Sequence, residues 1–432
     1  MGHHSDQTFP EYGRRRQRLI FAPGLVRKVP RVPATFSALE ERARRVTTKR
    51  GFAYVAGGAG NEQTMVANRA AFDRWRIVPR MLRDVSRRDL TLTLFGEDLP
   101  APLILAPIGV LEMVHRGADL AAARAAAAER VPFIFSNQAS VPMERCATAM
   151  GDGIRWFQLY WSTDDQLVIS FLRRAEACGC GALVVTLDTP LLGWRPRDLD
   201  LGSLPFLRGK GIAQYTSDPV FCEGLAGART QPGSDPVKPP NNLFSFGARW
   251  NQIWRHPGSL LTNLYSSAPQ LAVRKFLDTY TRASLTWKDL AWLREHTRLP
   301  ILLKGILSPE DARLALDHDV AGIIVSNHGG RQVDGAVAAI DALAEVVKAI
   351  DGRLPVLFDS GIRSGADLFK ALALGASAVC LGRPYVYGLA IAGEHGVREV
   401  IQNVLAEFDL TMALAGCATL EDVAHAALER VL

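Results

Sequence analysis

The chain has 432 residues, of which 48% are hydrophobic and 22% charged, a balance that argues against a mainly disordered protein. No stretch approaches the ~18 uninterrupted apolar residues of a membrane span, and no signal-peptide core follows the start, so membrane-spanning and exported proteins are disfavoured. The net charge is +6, but residues 1–50 alone carry +8, so the body is nearly neutral and no nucleic-acid-binding face is expected.

Residues 1–34 are predicted to form a basic, solvated and partly ordered extension ahead of a main domain at 35–432. The acidic residues in this basic stretch argue against a transit peptide, because such peptides are typically acid-poor. The first part of the main domain, residues 35–95, includes a predicted helix at 37–50.

The six cysteines are scattered along the chain, and only Cys178 and Cys180 lie close together. No second pair completes the spacing of a zinc site, and no histidines have metal-ligand spacing, so no metal centre is expected. Free thiols indicate a reducing compartment, and a cytoplasmic location is the corresponding expectation.

Short apolar runs recur along the chain, and each ends in glycine or polar residues. Near-continuous apolar strands that alternate with helices predict an α/β fold with a parallel sheet covered on both faces. Eight evenly spaced units favour a closed TIM (β/α)8 barrel at about 100–384 over a doubly wound open sheet. The predicted strands are 102–109, 131–137, 155–161, 182–189, 300–306, 321–330, 355–363 and 378–384.

Helix signals separate these strands. Residues 118–130 are alanine-rich, and the segment 308–319 opens with a serine N-cap and a proline at the first helical position. Residues 364–376 open with a serine and close on a glycine, which are start and stop signals of a helix. Two or three closing helices are expected at 388–432.

One connection is far longer than the others, since residues 190–299 fill the crossover after the fourth strand. The part at about 203–283 is a candidate lid over the barrel mouth, and its proline- and glycine-rich centre, 228–242, is predicted to be a mobile loop. An aromatic segment at 244–265 is expected to pack against the barrel or a neighbouring subunit, and membrane contact is less favoured. Its aromatic residues are Phe244, Phe246, Trp250, Trp254 and Tyr265.

Polar side chains end every predicted strand but the first. In a TIM barrel the C-terminal ends of the strands meet at one mouth, where catalytic residues lie. Any one of these residues alone could be a helix cap or a loop residue, but seven strand ends together indicate a site. They are Ser136, Gln158, Tyr160, Thr186, Asp188, Lys304, Asn327, His328, Arg331, Asp359, Arg363 and Arg383.

The loops after the seventh and eighth strands, 359–365 and 381–384, are predicted to bind a phosphate. Loops at this place in a barrel commonly do so, with glycines that permit close backbone approach and arginines that add charge. His328 lies between polar and glycine residues at the barrel mouth, which favours a proton-transfer role over that of a structural core imidazole. The planar guanidinium of Arg331 can donate two hydrogen bonds to a carboxylate, and Asp188 is placed to orient the imidazole.

The motifs at these strand ends resemble those of the FMN-dependent L-2-hydroxy-acid oxidase and dehydrogenase family. The resemblance covers residues ~35–430 apart from the long excursion, with the motifs in the same order and spacing. The segment at 326–332 is the most specific of them. The motifs are SNHGGRQ at 326–332, VTLDTP at 185–190, GWRPRD at 193–198, ILLKG at 301–305, DSGIRSG at 359–365 and LGRP at 381–384.

The resemblance implies FMN as cofactor. Its phosphate would lie on Gly361, Arg363, Gly382 and Arg383, with Asp359 on the ribityl chain. Its ring system would contact the remaining cofactor residues, which are Pro107, Ile108, Gly109, Ser136, Gln158, Thr186, Lys304 and Ser326.

The resemblance also implies the catalytic roles. His328 would take the substrate proton, with Asp188 as its partner, and Tyr160 would contact the substrate hydroxyl. The substrate carboxylate would be held by Arg331 and Tyr54. Arg195 fits the second active-site arginine of the family.

Within the family the sequence looks most like lactate 2-monooxygenase, which converts L-lactate and O2 into acetate, CO2 and water. Gly109 stands where the oxidases usually carry alanine, and the segments at 54–58 and 193–209 add to the similarity. The alternatives are an oxidase that releases keto acid and H2O2, a quinone-linked dehydrogenase, and an FMN-binding scaffold without turnover. Gln138 departs from the pattern, since relatives place an apolar or aromatic pocket residue there. The family implies a tetramer or octamer.

Overall fold

The computed structural model describes residues 11–226 and 243–431. A first group of helices and short strands precedes the barrel. The predicted helix at 37–50 is in fact two helices, because Thr47 and Thr48 have extended backbone and the Thr48 hydroxyl caps the second helix by accepting from the Gly51 N–H at 3.0 Å. These elements are α1 (Tyr12–Gly24), α2 (Phe36–Val46), α3 (Lys49–Ala56), α4 (Gln63–Asp73), β1 (Trp75–Ile77), β2 (Leu92–Leu94) and β3 (Glu97–Leu99).

Helix α1 shows that part of the basic extension is ordered. It packs on a C-terminal helix, and the Gly13 N–H donates to Asp409 Oδ2 at 2.8 Å. A Cβ at Gly13 would lie 2.5 Å from the Leu410 side chain, so this close approach requires glycine. Residues 1–10, which belong to the same predicted extension, lie outside the described residues.

Eight parallel strands close into a barrel, which confirms the predicted TIM fold. Closure is made by the last strand against the first, where Cys380 pairs with Ile104 and Leu381 with Leu105. The antiparallel hairpin of β2 and β3 lies at the opposite end from the mouth, and its Phe95 ring packs edge-on against Trp156 inside the barrel. The strands are β4 (Leu103–Leu105), β5 (Phe133–Phe135), β6 (Arg155–Leu159), β7 (Leu183–Thr186), β8 (Ile301–Ile306), β9 (Gly322–Val325), β10 (Val356–Phe358) and β11 (Ala378–Leu381).

The barrel interior is a separate apolar core. One buried side chain from each strand points inward, while its neighbours along the strand pack outward against the helices, as the two-residue period of a strand requires. The inward residues are Ile104, Ile134, Trp156, Val184, Leu302, Ile324, Leu357 and Cys380.

Helices follow the strands as predicted. In the helix that begins at Pro309, the Ser308 hydroxyl accepts from the N–H groups of Glu310 and Asp311, so the predicted N-cap is confirmed. The Ser364 hydroxyl likewise caps the helix that begins at Gly365. The helices of the repeat are α5 (Ala118–Ala128), α6 (Met143–Met150), α7 (Asp165–Ala177), α15 (Pro309–Leu316), α16 (Ala339–Ile350) and α17 (Gly365–Ala373), and the turn Leu111–Met113 is a 3₁₀ helix.

The excursion between β7 and β8 is mostly helical where it is described. Its predicted mobile centre, 228–242, lies outside the described residues. Trp254 and Tyr265 of the aromatic segment are 66% and 88% exposed, so these two side chains do not pack against the barrel, and contact with a neighbouring subunit stays a prediction. The elements are α8 (Pro196–Leu199), α9 (Ala213–Thr216), α10 (Pro219–Ala226), α11 (Leu243–Arg255), α12 (Leu260–Tyr265), α13 (Ala268–Thr279) and α14 (Asp289–His296), with a 3₁₀ helix at Pro205–Arg208.

The C-terminal segment differs in detail from the predicted helices. One long element, α18 (Arg383–Ala415), starts directly after β11 and is broken at Ala392 and Gly393, where the backbone leaves the helical region. After α19 (Leu420–Ala424), a short strand β12 (Leu428–Arg430) pairs antiparallel with β1. Within the described residues no helix is long and apolar enough to cross a membrane.

Candidate active site

The period of the strands explains why polar residues meet at the barrel mouth. Each inward-pointing core residue is followed two positions later by a residue on the same face of the strand. Those next residues form a ring just above the apolar core. They are Ala106, Ser136, Gln158, Thr186, Lys304, Ser326, Asp359 and Gly382. Seven of the eight are residues predicted above to bind the cofactor.

A cavity opens above this ring and is lined by residues from the ends of the strands. Sixteen of the predicted site residues line it, which are Tyr54, Pro107, Ile108, Gly109, Gln158, Tyr160, Thr186, Arg195, Lys304, His328, Arg331, Asp359, Gly361, Arg363, Gly382 and Arg383. The other four, Ser136, Asp188, Ser326 and Asn327, lie behind the wall and contact residues in it.

His328 and Asp188 form a hydrogen-bonded pair, with His328 Nδ1 and Asp188 Oδ1 2.7 Å apart. The backbone of His328 has φ +58°, a left-handed conformation that is uncommon for this residue type. The turn is held because the His328 N–H donates to Ser326 Oγ at 3.0 Å. The strained turn therefore directs the imidazole toward the cavity and onto Asp188.

The charges of this pair leave His328 suited to act as a base. Burial alone would raise the pKa of Asp188, but the nearby His328 and Lys304 lower it to about 2, so the carboxylate is ionised. Burial lowers the pKa of His328, and the opposing effect of Asp188 does not cancel this. Because an ionised carboxylate only accepts, the neutral imidazole carries its proton on Nδ1, and Nε2 has a free lone pair.

Lys304 supplies a buried positive charge at the base of the cavity. Its Nζ lies 3.1 Å from Asp359 Oδ2 and 3.9 Å from Asp188 Oδ2, and it donates to Ser326 Oγ at 2.8 Å. Burial would lower the pKa of Lys304, but the two carboxylates raise it above its ordinary value. Lys304 is therefore protonated throughout the physiological range.

Buried and half-buried arginines give the cavity a strong attraction for anions. Among the described residues, none of the four arginines in the wall forms an ion pair with a carboxylate. Burial and neighbouring cations lower the pKa of Arg331 and of Arg363 to about 9 each. A buried cation without a counter-charge is costly, so these side chains are arranged for an anionic ligand. The four are Arg195, Arg331, Arg363 and Arg383.

Two of these arginines are held in place by backbone carbonyls after helix α3. The Gly57 carbonyl accepts from Arg331 Nη1 at 2.7 Å and from Arg383 Nη2 at 2.9 Å. Arg331 also lies over the Tyr54 ring, 5.3 Å from its centroid. These contacts satisfy only part of each guanidinium and leave other N–H groups for a ligand.

Several buried polar atoms in the cavity wall lack a partner among the described residues. They are Gln158 Nε2, Thr186 Oγ1 and Arg363 Nε. Buried polar groups in native proteins are nearly always hydrogen-bonded. The wall is therefore complete only when a ligand that accepts hydrogen bonds occupies the cavity.

Sequence reasoning missed Ser360, which lies in the cavity wall with φ +79°. Its hydroxyl donates to Asp359 Oδ1 at 2.7 Å and accepts from the N–H groups of Asn327 and Gly329. Ser360 thus ties the loop after β10 to the His328 turn. Its place between Asp359 and Gly361 in the DSGIRSG motif was the available signal.

Comparison with known proteins gives a consistent picture. The sequence profile of a family described as FMN-dependent dehydrogenase matches residues 43–430. An L-lactate oxidase of Lysinibacillus sphaericus is 40% identical, with 90% of this chain and 91% of that protein aligned. A glycolate oxidase of Spinacia oleracea is also 40% identical, with 89% and 93% aligned. A crystal structure of mandelate oxidase with (S)-4-hydroxymandelic acid superposes with a TM-score of 0.76 at 36% identity, covering 93% of this chain and all of that one.

Proposed function

The chain belongs to the FMN-dependent dehydrogenase family, whose shared chemistry is oxidation of a 2-hydroxy acid, and we propose that its own substrate is a small L-2-hydroxy acid, with L-lactate as the first candidate. The observation that carries this proposal is a neutral, half-buried imidazole on Asp188, in one cavity with arginines that have no carboxylate partner among the described residues. A base and an anion site together suit removal of a proton from a hydroxy acid.

The residues present fit FMN. The unpartnered atoms Gln158 Nε2 and Thr186 Oγ1 suit the polar edge of its ring system, and Arg363 with Arg383 suits its phosphate. A Cβ at Gly361 would lie 2.9 Å from the Phe72 ring, so this part of the phosphate loop requires glycine. When bound, FMN supplies the acceptor for the two electrons of the substrate.

The roles of the protein groups follow from their chemistry. We assign the substrate carboxylate to Arg331 and Tyr54, and the hydroxyl to Tyr160. Nε2 of His328 takes a proton from the substrate, and Asp188 stabilises the imidazolium that results. Lys304 holds a fixed positive charge at the base of the cavity, which would stabilise negative charge on the bound cofactor.

We propose L-lactate 2-monooxygenase as the specific activity, in which L-lactate and O2 give acetate, CO2 and water. Gly109 supports this outcome, because it lines the cavity without a side chain at a position where the oxidases usually carry alanine. The experiment is aerobic turnover of L-lactate with product identification. Acetate and CO2 without free peroxide would support the monooxygenase, whereas pyruvate with H2O2 would establish an oxidase. Turnover that requires a quinone as electron acceptor would establish a dehydrogenase.

We also propose that residues 35–432 are the catalytic domain and that residues 1–34 are an extension without catalytic groups. The family resemblance and the free cysteines support a cytoplasmic homo-oligomer, a tetramer or an octamer. Light scattering of the purified holoenzyme tests the subunit number.

Replacing Gly109 by alanine should shift the products from acetate toward pyruvate and H2O2. The new Cβ would lie 3.0 Å from Gln138 Cβ and 3.1 Å from the Gln138 carbonyl oxygen, so the wall must adjust and the cavity becomes narrower. Anaerobic reduction by L-lactate should persist. The measurement is the ratio of acetate to pyruvate and the peroxide yield. Gly247→Ala is the matched control, since a Cβ there would meet nothing within 4 Å. An unchanged ratio in Gly109→Ala would contradict the role of the missing methyl.

The pH dependence should follow the state of His328. Burial lowers its pKa, and the base must be neutral, so kcat/KM for FMN reduction is at its full value above this pKa and falls as the pH drops through it. The acidic limb is therefore expected below the ordinary histidine pKa of ~6.5. Anaerobic stopped-flow reduction at a series of pH values measures it. A limb above that value would show that His328 is stabilised as the imidazolium and would contradict the assignment.

A further inference from the structure

The side chain of Gln138 lies in the cavity wall and has no partner. The residue is only 8% exposed, and neither Oε1 nor Nε2 forms a hydrogen bond to a described residue. A buried amide normally has hydrogen-bond partners. Its donor and acceptor are therefore available to whatever fills the cavity.

The backbone around Gln138 is fixed. Its N–H donates to Ser136 Oγ at 3.1 Å, and its carbonyl accepts from the Val110 N–H at 2.9 Å. A Cβ at Gly109 would lie 3.5 Å from Gln138 Oε1, so the amide lies directly over the glycine. The amide is thus a built part of the wall and not a side chain at a free surface.

Other groups in the wall contact the carboxylate and the hydroxyl of the substrate, so one part of the substrate is left to contact the Gln138 amide. Under the proposed function, Arg331 and Tyr54 take the carboxylate, while His328 and Tyr160 take the hydroxyl. The remaining substituent of the substrate is the side chain on C2.

Three further polar side chains of the wall have no stated contact with the substrate or cofactor, Arg195, Gln138 and Ser360. Arg195 can only donate, and its Nε and Nη2 already donate to the Arg331 carbonyl and to Gln332 Oε1. The Ser360 hydroxyl is already occupied, because it donates to Asp359 and accepts from two backbone N–H groups. Of these three residues, only Gln138 offers both a free donor and a free acceptor.

We propose that Gln138 selects L-2-hydroxy acids whose C3 carries a hydroxyl group over those whose C3 is a plain methyl group. This inference rests on the proposed function and refines its substrate class, so that L-lactate remains a substrate but L-glycerate has the higher kcat/KM. A hydroxyl both donates and accepts, so it can satisfy both ends of the neutral amide. A methyl group would cover the amide and leave it buried without a partner, which is unfavourable.

The test compares L-glycerate, L-lactate and glycolate as reductants of the FMN-bound enzyme under anaerobic conditions. Their side chains are hydroxymethyl, methyl and hydrogen. In the wild type, kcat/KM for L-glycerate should exceed that for L-lactate by about 10- to 100-fold, the range that one buried hydrogen bond supports. Gln138→Met keeps the length of the side chain and removes the amide, so this preference should be lost. Glycolate has no group that reaches the amide and is the reference substrate, so the ratio of kcat/KM for L-glycerate to that for glycolate should fall in the variant.

Gln17→Met, on the exposed side of α1, is the matched control for the substitution and should keep the wild-type preference. FMN content and thermal unfolding show that the Gln138 variant is folded. A wild type that uses L-lactate as well as L-glycerate, or a Gln138→Met variant that keeps the wild-type preference, would overturn the inference alone. A holoenzyme that none of the three acids reduces would overturn the proposed function as well.

Discussion

His328→Gln should retain bound FMN and lower the rate constant of its anaerobic reduction by L-lactate by about 10³-fold or more. Glutamine can still donate a hydrogen bond to Asp188, so the turn and the wall of the cavity are preserved. It has no basic nitrogen, so no group in place of Nε2 can take the proton. The loss should appear in the limiting rate constant of reduction at saturating substrate, with a small change in Kd.

The measurement is stopped-flow absorbance of the flavin, together with the FMN content of each purified variant. His425→Gln changes an exposed histidine in the C-terminal segment, outside the cavity, and is the control. Its FMN should be reduced at the wild-type rate. A His328→Gln variant that is reduced at a rate close to that of the wild type would show that another group is the base. Loss of FMN from the variant would instead indicate that His328 is needed to build the cavity.

The polar residues at the barrel mouth could be predicted from the sequence because their placement depends on regular strands. Apolar runs of even spacing predict the barrel, and the two-residue period then places Gln158, Thr186 and Lys304 on the inner face at the mouth. Such local patterns need no knowledge of distant contacts. The motifs at the strand ends add the family resemblance.

Other features depend on contacts between distant segments, which the local sequence does not reveal. Strand β12 exists because it pairs with β1, more than 300 residues earlier in the chain. The break between α2 and α3 follows from a cap at Thr48 that interrupts an otherwise continuous helical pattern. Ser360 gains its importance from N–H groups of the His328 turn. The free amide of Gln138 is visible only once every neighbour of the cavity is known.

Arg331→Met should lower kcat/KM for L-lactate by about 10²- to 10⁴-fold, mainly through a higher Kd. A guanidinium binds a carboxylate through two charge-assisted hydrogen bonds, each of about 1.5–3 kcal/mol, and methionine removes both. Arg331→Lys keeps the charge and loses the planar fork, so its effect should be intermediate. The dependence of the reduction rate on substrate concentration separates Kd from the limiting rate constant.

Thermal unfolding distinguishes a binding residue from a structural one. Arg331 is half-buried and has no ion-pair partner among the described residues, and burial lowers its pKa, so the substrate-free protein gains little stability from the charge. Removing the charge costs the hydrogen bond to the Gly57 carbonyl and relieves the buried cation, and these two effects oppose each other. The Tm of the substrate-free Arg331→Met holoenzyme should therefore stay close to that of the wild type while its Kd rises. A large fall in Tm with an unchanged Kd would assign Arg331 to the scaffold and would leave Arg195 as the remaining candidate for the carboxylate.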